Sequence, residues 1–124
     1  MSTQAAAARY AKVQVTGASP AQIVSMLFDG AIRFATEAAT AMEKRDRARA
    51  GERLNRCHAI VSELASSLDR SHSPELCDNL AGIYAFCMRE LLRANIEQDR
   101  TVIDGVVASL APLRDAWSEV AKRS

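Results

Sequence analysis

From Ser19 to about Ala121 the chain repeats one pattern four times: a polar break ending in a residue suited to cap a helix, then apolar side chains returning at steps of three and four. That spacing belongs to the α-helix, which places such positions on one face. A sheet would need alternation, and no segment reads as a hairpin. Helix entry is best specified at Ser19-Pro20-Ala21-Gln22. There Ser19 can accept from the Gln22 N–H while Gln22 reaches back, and Pro20 has the preset φ of a first helical position. Ile23, Leu27, Gly30, Phe34, Ala38 and Ala41 then share one seam. The first helix is expected to run to about Glu43 and to form a spine for three later helices. Gly30 costs about 1 kcal/mol relative to alanine inside a helix, which implies that another backbone comes close there.

The later helices follow from the same signals. Asp46 is the expected N-cap of a second helix with Leu54, Cys57, Val61, Leu64 and Leu68 on its seam. An antiparallel turn between the first two helices would bring Gly51 near Ala39. Ser73, Pro74 and Glu75 open a third helix that runs to about Ile96, and Asp99 caps a fourth carrying Ile103, Val106, Leu110, Leu113, Trp117 and Val120. Pro112 removes the bond to the Ala108 carbonyl and is expected to kink or split that helix. Short connections make neighbours antiparallel. The expected fold is all-α, an antiparallel up-down four-helix bundle over residues 19–121, preceded by a short helical or extended cap segment over residues 1–18.

The third helix has more apolar surface than a bundle uses. Its core seam reads Leu76, Leu80, Ile83, Cys87, Leu91 and Ala94, and beside it runs a second row of Tyr84, Met88 and Leu92. Together they cover more than half of the circumference, so this helix either is central or presents a face that something else covers. The expected groove is lined by Leu80, Tyr84, Met88 and Leu92, with Val107 and Leu110 of the fourth helix beside them. Tyr10 and Val13 of the N-terminal segment are expected to occupy part of it until a partner displaces them.

Sixteen basic and fifteen acidic side chains in 124 residues leave no global field to recruit nucleic acid or an anionic membrane. Lys44, Arg45, Arg47, Arg49, Arg53 and Arg56 do cluster, but Glu43, Asp46 and Glu52 interleave with them and no aromatic does, which reads as a solvated face. A helical adaptor or homodimeric bundle whose basic patch binds nucleic acid is the alternative function. Cys57, Cys77 and Cys87 are an odd count on helices and are expected to stay reduced. No basic leader or span of roughly 18 apolar residues is present, so the expected location is the cytoplasm, without membrane insertion. Catalysis has no residues to rest on. Cys57 and His58 point about 100° apart on a helix, no cysteine or histidine spacing suits zinc, no Glu-x-x-His pair suits a di-metal bundle, and no glycine loop suits phosphate. No catalytic, cofactor or metal site is therefore expected.

An ordered set of short segments runs through nearly the whole chain. It comprises Tyr10 ahead of Val13-Gln14-Val15, Ser19-Pro20, Leu27-Phe28-Asp29-Gly30-Ala31-Ile32, Ile60-Val61-Ser62-Glu63-Leu64 with Ser67-Leu68-Asp69, Asn79-Leu80 with Ile83-Tyr84, Ala94-Asn95, and Trp117. In this the chain resembles the flagellin export chaperone family, FliS. The resemblance implies a cytoplasmic helical bundle that holds the disordered C-terminal region of flagellin, prevents early polymerisation and aids its delivery to the flagellar type III export gate. The charge pattern leaves no nucleic-acid partner expected, and the chain is expected to be a monomer or weak dimer. Phe28 and Phe86 stand where the family often has tyrosine, and Pro112 departs from the expected last helix.

Overall fold

The computed structural model describes residues 18–123, and within them all regular structure is helical. α1 spans Pro20–Glu43, α2 Arg47–Ser66, α3 Pro74–Glu97 and α4 Arg100–Lys122. The N-terminal cap segment expected over residues 1–18 lies almost wholly outside the described residues. Ser19 closes the reciprocal box at the start of α1: its Oγ accepts from the Gln22 N–H at 3.2 Å, and its own N–H donates to Gln22 Oε1 at 2.7 Å. Asp46 accepts from the Arg49 N–H at 3.1 Å, and Asp99 from the Thr101 N–H at 2.9 Å. Each carboxylate satisfies a backbone donor that has no partner within its helix. Ser73 stands at the cap position of α3 but its side chain makes no capping bond.

The helices form a ring in which α1 and α3 each pack on α2 and α4, with every neighbour antiparallel. α1 is thus a spine for two helices and not for three. Its core face is largely alanine, with Ala31, Ala35 and Ala38 fully buried. Small side chains let α2 and α4 press closely on it. Across the diagonal, α1 meets α3 only through side chains, the rings of Phe28 and Tyr84 packing at 6.4 Å between centroids with a tilt of 38°. Around that pair Leu54, Val61, Leu91, Ile103, Val106 and Leu110 complete the centre. The ring also brings the start of α1 and the end of α4 to the same end of the bundle. At the opposite end Arg100 of α4 pairs with Glu43 of α1.

Three local expectations are revised. A Cβ on Gly30 would lie 3.4 Å from Ile60 Cδ1, so what approaches closely is a side chain of α2 rather than a backbone. A Cβ on Gly51 would lie 3.5 Å from Asn95 Oδ1 of α3, so the side chain it approaches most closely belongs to α3. Ala50, Leu54 and Cys57 turn inward, and the position one residue after Ala50 therefore swings about 100° toward α3. Pro112 does not split α4, which continues through it. Ala108 and Pro112 are both exposed, so the carbonyl that loses its bond lies on the wet side of the helix. No helix among the described residues is long and apolar enough to cross a membrane.

Candidate functional site

α3 buries Cys77, Tyr84, Cys87, Leu91 and Ala94. At 100° per residue, Ala81, Ala85, Met88, Leu92 and Ile96 then fall in a sector of about 80° along one edge of that face. Met88 is half-buried, whereas Leu92 is 54% and Ile96 78% exposed. This is a helix face with coiled-coil-like spacing, packed against the core at Met88 and open to solvent at Leu92 and Ile96. On the opposite flank Arg93 bridges Glu90 and Glu97, a polar boundary that holds the Glu90 carboxyl below the usual carboxylate range through its hydrogen bond to Arg93.

The residues expected to line one groove are divided among different surroundings. Leu80 and Met88 are half-buried and Leu92 is exposed, which keeps these three at the surface of α3. Tyr84 is only 3% exposed and Leu110 fully buried. Both belong to the core, a correction to their placement on the groove. α3 is rotated from the expected seam toward Tyr84, because Phe28 offers an aromatic partner inside the bundle, and Leu76 is turned out. Val107 lies two turns before Arg114 on α4, and Arg114 reaches toward Asp29 of α1 with 4.0 Å between Nε and Oδ1. The Val107 row therefore borders α1 and not the stripe of α3. Tyr10 and Val13 lie outside the described residues. Ile96 was missed as a member of the stripe, although it continues Met88 and Leu92 by a further four residues.

A hollow lies elsewhere. A furrow of about 580 Å³ runs between α1 and α2, floored by Ile23, Met26, Leu27, Gly30 and Ile60, with Asp29, Arg33 and Arg56 at its rim. Phe34 closes one end, and the guanidinium carbons of Arg33, Arg53 and Arg56 lie 5.0, 5.6 and 5.8 Å from its ring centre. Arg53 and Arg56 share Glu52, and Arg53 also faces Glu37 at 3.5 Å. The sequence pattern placed Gly30 and Phe34 on an inward seam; the signal for an outer hollow was a glycine and a ring flanked by arginines one and three to four turns away on two helices.

Burial pushes the Cys57 thiol up to about 12 and the Cys87 thiol up to about 11, and the Tyr84 phenol also up to about 12. Such thiols stay protonated and inert near neutrality. Cys77 instead donates to the Asp69 carbonyl at 3.1 Å. Among the described residues no group of three or more His, Cys, Asp or Glu side chains is placed to hold a metal ion. What the surface offers is apolar area bounded by charge, which suits a helical or extended protein segment.

A family model described as flagellar protein FliS matches residues 2–124. The chain belongs to the FliS family. Among its FliS relatives, the flagellar secretion chaperone FliS of Salmonella typhimurium is 32% identical over 120 residues, covering 93% of this chain and 89% of the relative. The Escherichia coli FliS of the same description is 34% identical over 118 residues, with 94% and 87% covered. That of Bacillus subtilis is 32% identical over 110 residues, with 89% and 81% covered. These FliS proteins are named as flagellar secretion chaperones.

Proposed function

We propose that this FliS-family chain is a cytoplasmic export chaperone that holds the disordered C-terminal segment of flagellin, prevents its premature polymerisation and aids its delivery to the flagellar type III export apparatus. The observation that carries the reading is the outer stripe of α3, where Leu92 and Ile96 stand 54% and 78% exposed beside half-buried Met88. A soluble bundle gains nothing from displaying these side chains, while an unfolded amphipathic segment gains a template. Leu80, Met88 and Leu92 form the contact row. Fully burying one large aliphatic side chain contributes about 1.5–3 kcal/mol, whereas ordering each client residue costs about 1–2 kcal/mol. The stripe alone therefore cannot hold a long segment, and the client must lay apolar anchors along more of the bundle.

The test is titration of a flagellin C-terminal peptide onto the full chain and its Leu92→Glu and Met88→Glu variants. Leu92 is the cleaner site because its side chain is already in water. Helicity should be kept while affinity falls about tenfold or more, the loss typical of a central anchor. Unchanged affinity in both variants would remove α3 from the client path.

A further inference from the structure

We infer that the furrow between α1 and α2 is a second docking surface, which takes an acid-flanked amphipathic helix of a partner protein; this stands whether or not flagellin binds along α3. The floor is apolar and open, with Met26 40% exposed among Ile23, Leu27 and Ile60. Methionine adapts its shape to an incoming side chain. Gly30 keeps the trough deep, since a Cβ there would already meet Ile60 at 3.4 Å. From Ile23 to Phe34 the furrow is about 17 Å long at 1.5 Å per residue, or three turns of a partner helix presenting anchors at i, i+4 and i+7.

Charge selects the occupant. Arg33 lies on one lip with no ion pair among the described residues, and Arg56, which pairs with Glu52, lies on the opposite lip, so Arg33 is the cation most open to an incoming carboxylate. Packing around Phe34 holds the guanidinium groups in place before a partner arrives, so less side-chain freedom is lost on binding. Asp29, the acidic residue of the rim, faces Arg114. A smaller hollow of about 300 Å³ continues along the same two helices, with Lys44 and Arg49 on its lining beside Glu37 and Asp46. The chain's own first 17 residues match this site poorly, because they carry Arg9 and Lys12 and no Asp or Glu. A helix with glutamates on both borders of its apolar stripe matches it, each carboxylate meeting a guanidinium fork.

The probe is a fluorescein-labelled 18-residue peptide with leucines on one helical seam and glutamates on both flanks, compared by anisotropy with a counterpart carrying lysines instead. The glutamate peptide should bind the full chain about tenfold or more tightly than the lysine peptide, and more tightly still at low salt. The double variant Arg33→Glu, Arg56→Glu should reverse that preference, Met26→Glu should abolish binding of both peptides, and Leu92→Glu should change nothing. Should the double variant lose helicity, Arg33→Gln alone should weaken the glutamate peptide, since Arg33 is exposed and outside any ion pair of the described residues. Equal affinity for the two peptides, no binding of the glutamate peptide, or indifference to the Arg33 substitutions overturns the proposal. So does loss of binding in Leu92→Glu, which would assign the peptide to α3. A dimer that Met26→Glu dissolves would make the occupant a second copy and also overturn it.

Discussion

Tyr84, Cys57 and Cys87 place three weak acids in the interior, and each holds its proton more tightly folded than unfolded. Burial is the leading cause for all three, raising the thiols from 9.0 to about 12 and about 11, and the phenol from 10.0 to about 12. Below pH 9 both states keep these protons and the full stability is present. As pH rises from 9 toward 12 the unfolded chain releases them first, so folding stability must fall across that window. The urea midpoint followed by circular dichroism should be level to about pH 8.5 and decline above pH 9, less steeply in a Cys57→Ala, Cys87→Ala double variant. Identical slopes would mean that the thiols are hydrated in the folded chain. The cysteines were readable as small buried groups from their helical spacing, because burying a thiol costs little. Tyr84 was not. Its hydroxyl and its place on a second row suited a surface, and only the distant Phe28 decides that its ring turns inward.

At the scale of the helix, start and stop signals were legible because they are local: Ser19 with Gln22, Asp46 and Asp99 cap where their residue types and spacing indicate. Rotation about the helix axis was not legible for α3, because two adjacent apolar rows compete and the choice is made by neighbours far away in sequence. The same limit scattered the expected groove, sending Leu110 to the core and Val107 to the α1 side. Pro112 shows that local cost and global outcome differ: α4 stays continuous and bears the loss of one bond on its exposed side. Pro112→Ala should therefore raise stability to urea by roughly 1–3 kcal/mol, and Gly82→Ala, with open space around its Cβ, by roughly 0.5–1 kcal/mol. Loss of stability in Pro112→Ala would indicate that the rigid ring shapes the helix for its packing on α1.

Taken whole, the molecule is a closed ring of four antiparallel rods, and this topology followed from four periodic runs joined by short breaks. The missing part was the diagonal: helical spacing says which residues point inward, but not that α1 and α3 stay apart at the backbone and meet through side chains such as Phe28 and Tyr84. The outer furrow was hidden for a similar reason, since a hollow belongs to two helices and neither run shows it alone. A ring has no privileged seam. With Pro20 and Lys122 at one end and α1 beside α4, a short tether could join head to tail, and new ends could be cut between Asp69 and Ser73. Such a circular permutant should keep the parent's helical spectrum and a single cooperative melt. The order in which the rods are threaded would then be separable from the architecture they build.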